Sequence, residues 1–224
     1  MSIFNKKLKI DSLHLLQQIE DNCVSACFLD PQYRGGLETI NYGNEGMRQV
    51  ERSKLPQMSS DYIHKLIGEI ERVLKPSGHL FLWADAFSIA SGESSFMCSN
   101  RLDGKKCSLN IVDIMFWHKQ KFGMGYRSRR TGEYMLISQK SPKRVKGVWE
   151  DHSIPDMWSE KSPQDLHVHQ KPAELLRKLI LSVTKENDIV LDPCAGSFLT
   201  YKICKKTNRN FIGTDIVFGD TSVT

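Results

Sequence analysis

Apolar and polar positions alternate along this chain in two distinct periods. Val24-Ser25-Ala26-Cys27-Phe28-Leu29 is a short, mostly apolar run that stops at Asp30, the pattern of a buried parallel strand. Ile63, Leu66, Ile67, Ile70, Val73 and Leu74 recur with the helical period behind Ser59-Ser60-Asp61, which predicts a capped amphipathic helix. Ser12 to Ile19 predicts a shorter helix capped by Asp11 or Ser12. Pro76-Ser77-Gly78 is expected to end the long helix, and His79 to Trp83 to form the next strand. Ile111 to Trp117 and Tyr134 to Ser138 read as further strands. Glu174 to Thr184 reads as a helix, Asp188 to Leu191 as a strand, Leu199 to Lys206 as a helix, and Asn210 to Asp215 as a strand. Repeated strand–loop–helix units imply an α/β fold, a mostly parallel sheet with helices on both faces. Arg34 to Met58 is polar and aperiodic, long for a loop, and is read as functional or mobile.

Length and composition leave this picture intact. The 224 residues suffice for one domain with its own core, and 40% hydrophobic with 25% charged residues is a globular balance. No window approaches a run of about 18 apolar residues, and the first residues lack the apolar stretch of a secretory signal, so a cytoplasmic protein with no membrane association is expected. Six cysteines without C-x-x-C spacing predict free thiols rather than a structural metal. His167 and His169, with no third ligand beside them, are read as loop residues.

Net charge is +5, and its distribution is more telling than its size. Lys119, Lys121, Arg127, Arg129, Arg130, Lys140, Lys143, Arg144 and Lys146 crowd one stretch interrupted by Tyr126, Tyr134 and Trp149. A solvated charged face and a phosphate-contacting surface both produce such a pattern.

Two predicted strands end in Asp-Pro: Leu29-Asp30-Pro31 and Leu191-Asp192-Pro193. In open α/β sheets ligands bind beyond the carboxyl ends of the strands, so both aspartates should line one crevice. Asp30-Pro31-Gln32-Tyr33 resembles the D-P-P-Y motif of amino-group DNA methyltransferases, with Gln32 in place of the second proline. Asp192-Pro193-Cys194-Ala195-Gly196-Ser197-Phe198 is similar to their D-P-F-x-G-S-G cofactor loop, departing at Cys194 and Phe198. His167 to Leu175 resembles H-P-T-Q-K-P-x-E-L, Asn210 to Asp215 resembles R-x-F-x-G-x-E/D, and Leu8 to Ser12 the opening G-D-S/A element. The order, catalytic loop first and cofactor loop last, is that of the beta class.

The resemblance implies a Rossmann-like, S-adenosylmethionine-dependent fold occupying residues 1–224 as a single domain, with a small target-recognition insertion at about 141–166. It implies methyl transfer to the N6 amino group of adenine in double-stranded DNA at a specific site, because cytosine-N4 relatives more often begin the catalytic motif with Ser. Cytosine-N4 methylation, RNA methylation and an inactive nucleic-acid-binding subunit are the alternatives. Asp30 and the Pro31 carbonyl would accept the amino hydrogens, and Tyr33 would stack on a base extruded from the duplex. Asp192, Pro193, Cys194, Ala195, Gly196 and Ser197 would wrap the methionine part of the cofactor, with Lys171 pairing its carboxylate or fixing the loop. Asp215 would hold the ribose hydroxyls, and Asp11 would either approach the adenine or cap its helix. Phe198, where relatives carry glycine, must face another way or narrow the pocket. Arg34, Arg127, Arg129, Arg130, Lys143, Arg144 and Lys146 are the candidate nucleic-acid contacts. A homodimer and a cognate restriction endonuclease are the further partners suggested.

Overall fold

Val24–Leu29 (β1) is buried at every position, because it pairs on both sides and is covered on both faces. The computed structural model describes residues 3–32, 58–123, 127–161 and 170–220. Preceding β1, helix α1 (Ser12–Gln17) is capped by Asp11, whose side chain accepts a hydrogen bond from the His14 N–H at 3.0 Å. Helix α2 (Ser60–Val73) is capped by Ser59, which accepts from Tyr62 N–H. Strand β2 (Leu74–Ala84) follows without a break. Helices α3 (Ala86–Ala90) and α4 (Glu93–Ser99) precede β3 (Leu109–His118), β4 (Gly132–Lys140) and β5 (Met157–Ser159). The chain closes with α5 (Ala173–Val183), β6 (Ile189–Asp192), α6 (Leu199–Lys206) and β7 (Asn210–Gly213).

The seven strands form one sheet in the order β5-β3-β4-β2-β1-β6-β7. Pairs β1–β2, β1–β6, β6–β7 and β3–β5 are parallel, whereas β4 runs antiparallel to β2 and β3. Successive side chains on a strand face opposite ways, and the core divides accordingly. Cys27, Leu29, Leu80 and Leu82 pack with α1, α2 and α4. Ala26, Phe28, Phe81 and Trp83 pack with α5 and α6 on the other face. The expected α/β sheet with helices on both faces is therefore present, with β4 as its antiparallel element.

Two local readings change. The turn expected at Pro76-Ser77-Gly78 is instead a bulge inside β2, where the register to β1 shifts between Val24 and Ala26. Ser77 sits there at φ 66°, and a Cβ on Gly78 would meet three carbonyl oxygens at 3.0–3.2 Å, so the bulge requires glycine. Within the stretch read as a recognition insertion, residues 157–159 are a strand of the main sheet, pairing with Phe116–His118. Beyond that contact β3 is an edge among the described residues, and Ile111, Val112 and Ile114 are exposed there.

Near its start the chain is fastened beside β7. Leu8 bridges Thr214, the Asp215 N–H donates to the Leu8 carbonyl, and Lys7 pairs with Asp220 at 2.9 Å. No helix among the described residues is long and apolar enough to cross a membrane.

Candidate active site

Strands β1 and β6 are parallel neighbours, so Asp30-Pro31 and Asp192-Pro193 emerge side by side at the same edge of the sheet. They open onto a cavity of about 470 Å³. Its wall combines Asp30 and Gln32 after β1, Asp192 to Ser197 after β6, and Asp215 to Phe218 after β7. Asp11, Ser12, Met58, Tyr62, Trp83 and Lys171 are among its other lining residues.

Asp30 does not stand alone. Its Oδ1 lies 2.9 Å from Lys171 Nζ, which is also 2.8 Å from Glu133 Oε2. The other oxygen of Glu133 takes the ammonium of Lys119. Lys171 lies over the Trp83 ring at 4.7 Å and Lys119 over Trp117 at 4.9 Å, so aromatic faces flank both cations. Burial in the cleft pushes the Asp30 carboxyl up from its ordinary range; Lys171 pulls it back, and Glu133 adds to the rise. Burial would likewise raise Glu133, but Lys171 and Lys119 outweigh it and hold the group at about 2. Burial works against charge on Lys171, yet Asp30 and Glu133 keep it firmly protonated. The sequence reading placed Lys171 at the cofactor carboxylate or as a loop fastener; the structure engages its ammonium with Asp30 and Glu133.

The loop after β6 is built from inside. Asp192 is 7% exposed and accepts from Thr200 Oγ1 at 2.6 Å. Burial raises its carboxyl to about 7, the Thr200 hydrogen bond opposes this, and the nearby Asp30 and Asp215 charges add to it. Ser12 Oγ donates to the Pro193 carbonyl, tying α1 to the loop. Burial among carboxylates lifts the Cys194 thiol well above its usual range, leaving it an inert lining group. Gly196 turns the loop at φ 47°, the left-handed region where glycine carries no penalty. Its N–H donates to Asp215 Oδ2 at 3.1 Å, while Asp215 Oδ1 accepts from the N–H groups of Val217 and Phe218. Asp215 thus couples the two loops and orders an exposed apolar lip, Ile216-Val217-Phe218.

Phe198 resolves its own ambiguity. It adopts φ 55°, ψ 37°, a left-handed conformation, and its ring is 2% exposed within the core. It meets Phe211 edge-on at 6.2 Å and lies 5.9 Å from Lys7 Nζ. The ring therefore faces away from the cavity, whose wall it does not join. The position needs a glycine-like backbone, and the aromatic side chain is accommodated on the opposite side.

Asp11 caps α1 and also accepts from Tyr62 Oη at 2.6 Å while lining the cavity, so helix cap and wall residue are one. Tyr33 and Arg34 lie outside the described residues, as do His167 and His169. Arg127, Arg129 and Arg130 are exposed on the segment between β3 and β4, at the cavity's edge of the sheet because Gly132 pairs with His118 and Tyr134 with Ala84. The Arg130 guanidinium stacks 5.2 Å from the Phe87 ring. Lys143, Arg144 and Lys146 lie apart from these arginines. β4 carries the chain across the whole sheet, from Tyr134 opposite Ala84 to Gln139 opposite His79, and leaves these three at the edge away from the cavity. Glu133, Trp83 and Tyr62 were not singled out from the sequence as site residues, and Lys119 only as one cation of the basic stretch. Glu133 and Lys119 face each other only because β3 and β4 pair, a relation no local motif announces.

Among the described residues, four aspartates, Asp11, Asp30, Asp192 and Asp215, and one ammonium, from Lys171, line the cavity. Burial, reinforced by the neighbouring Asp30 and Asp215, holds the Asp192 carboxyl near 7. The wall suits a ligand that brings a cation together with an apolar, aromatic portion.

A sequence profile of the N6/N4 DNA methylase family matches residues 24–217. The type II methyltransferase M.HhaII of Haemophilus parahaemolyticus is 47% identical over 221 residues, spanning 98% of this chain and 94% of that protein. Among solved structures, the M1.HpyAVI–SAM complex has a TM-score of 0.63 at 21% identity, covering 94% of this chain and 92% of that one. PvuII DNA methyltransferase (cytosine-N4-specific) has a TM-score of 0.65 at 15% identity, covering 96% and 86%. At such identities the two structures bear on the fold alone.

Proposed function

The chain belongs to the N6/N4 DNA methylase family, and on that footing we propose that it methylates the N6 amino group of adenine at a specific site in double-stranded DNA, using S-adenosylmethionine. The observation that carries this reading is the convergence of Asp30 and the 192–197 loop on one cavity from adjacent strands. When bound there, S-adenosylmethionine supplies a methyl group on a positively charged sulfonium. The excess of carboxylates around the cavity favours that charge, and the Ile216–Phe218 lip offers an apolar surface for the adenine. Asp215 is assigned to the ribose, and Asp192 with the backbone of Pro193, Cys194, Ala195, Gly196 and Ser197 to the methionine end.

An exocyclic amine is a poor nucleophile because its lone pair is delocalised into the ring. Asp30 and the Pro31 carbonyl accept its two hydrogens, which favours a pyramidal nitrogen aimed at the methyl group. Gln32 supplies neither acceptor, so replacing the second proline of the motif deletes no catalytic group. Tyr33 is assigned the stacking platform for the extruded base. Arg127, Arg129 and Arg130 are assigned to phosphates beside the cavity. The type II relative favours a cognate restriction endonuclease as the physiological counterpart, and a homodimer is the proposed assembly. Adenine is preferred because the catalytic motif begins with Asp30.

Incubation with S-adenosylmethionine and duplex DNA, followed by nucleoside analysis, tests the reading. N6-methyladenine confined to one sequence context is expected. N4-methylcytosine overturns the choice of base, product on RNA alone overturns the choice of substrate, and no product on any nucleic acid overturns the enzyme reading.

A further inference from the structure

We propose that Glu133 is a positioning residue for methyl transfer, holding the Lys171 ammonium partly toward itself so that one oxygen of Asp30 stays open to the amino group of the target base. The inference rests on the methyltransferase reading above.

Asp30, Lys171, Glu133 and Lys119 alternate in sign along one array drawn from four segments: the loop after β1, the residues before α5, the start of β4 and the residue after β3. Lys171 divides its contacts, 2.9 Å to Asp30 Oδ1 and 2.8 Å to Glu133 Oε2. Among the described residues, no hydrogen bond reaches Asp30 Oδ2. An ammonium with one carboxylate partner settles between both of its oxygens, where it competes for the lone pairs the amino group needs. A second carboxylate on its far side prevents this. Lys119 in turn holds Glu133, and the Trp83 face fixes Lys171 from the side, so the ammonium has one place to sit. Glu133 does not line the cavity, which is why its effect passes through Lys171.

Among the described residues, the titratable groups facing Asp30 are Lys171, Glu133 and Lys119 from this array, together with Asp192 and the neutral Cys194 thiol from β6 and its loop. With Glu133 neutral, burial still raises the Asp30 carboxyl but the Glu133 charge no longer adds to it, so Asp30 stays ionised to lower pH. Asp192 titrates in both proteins, and the informative quantity is the difference between their profiles.

The test is single-turnover methyl transfer by the full chain, from S-adenosylmethionine to a duplex the wild type methylates, across pH 5 to 9. S-adenosylmethionine binding, followed by calorimetry, reports that each variant is folded. Glu133→Gln is expected to lower the transfer rate constant about tenfold or more while cofactor affinity holds. Its acid limb should move to lower pH. Glu133→Asp keeps the charge with a shorter reach and should recover much of the rate and the wild-type limb. If Glu133→Gln does not fold, Glu133→Asp carries the test through its limb. Matching rates and profiles in wild type and Glu133→Gln overturn the inference. So does a loss confined to cofactor affinity, or a Glu133→Asp profile displaced from the wild type. A wild-type chain that methylates no duplex overturns the functional reading itself and this inference with it, and is recognised before any variant is compared.

Discussion

Replacing Phe198 separates two costs that usually travel together. Its backbone is left-handed, which costs a residue with a Cβ about 1–2 kcal/mol. Its ring is buried against Phe211, and removing such a ring to Ala costs about 3–5 kcal/mol. Phe198→Ala loses the ring and keeps the backbone strain, so it should be destabilised by the whole of that amount. Phe198→Gly loses the same ring but relieves the strain, at about 0.5–1 kcal/mol of extra chain entropy. The glycine variant should therefore be the more stable of the two by about 0.5–1 kcal/mol, reversing the usual order of Ala over Gly. Both should bind S-adenosylmethionine as the wild type does, since the ring faces the core. Urea unfolding of the three proteins, with unchanged slopes, gives the stabilities; calorimetry gives the affinities. An alanine variant as stable as the glycine variant would refute the strain argument, and weakened cofactor binding in both would refute the orientation.

Asp30→Ala should lower methyl transfer about a hundredfold or more yet leave cofactor binding intact, because Lys171 keeps Glu133; stopped-time assays and calorimetry separate the two. Asp192 has a raised carboxyl in the folded chain, so folding favours its protonated form and the wild type loses stability as pH rises from about 4 toward 7. Asp192→Asn escapes that loss, and its melting temperature should gain on the wild type across that window and level off above it; a constant difference would oppose the assignment. Asp215→Ala strips the acceptor from three main-chain N–H groups and should weaken S-adenosylmethionine about tenfold or more, read by calorimetry. Converting Arg127, Arg129 and Arg130 to Gln should reduce the salt dependence of DNA binding by up to about 0.9 in log–log slope for each phosphate no longer neutralised, whatever the sequence of the duplex.

What the sequence revealed follows the range of the interactions involved. β1, α2, α5, α6 and the caps at Asp11 and Ser59 were legible because burial period and capping are local properties. The two Asp-Pro strand ends marked the site because the rule for parallel strands converts a local ending into a shared edge. Local pattern gives no pairing direction, so the reversal at β4, and with it the removal of Lys143, Arg144 and Lys146 from the cavity, was hidden. The three-residue β5 is too short to carry a period. Glu133 and Lys119 belong to the same class of missed features, since each is unremarkable until the other stands opposite. The bulge at Ser77 misled because Pro-Ser-Gly reads as a turn, whereas a strand can absorb the same residues as a fold in one ladder.

The fastening of Leu8 to Thr214 gives the motif order a different meaning. The backbone closes almost into a ring there, with Lys7 and Asp220 clasped across the gap. In a ring, first and last are conventions. The Asp30-Pro31 loop precedes the 192–197 loop along this polypeptide, yet in space β1 and β6 are simply adjacent, and neither leads. What builds the site is the cyclic succession of strands, and the same succession opened at another exposed turn would place the same groups around the same cavity under a different linear order of motifs.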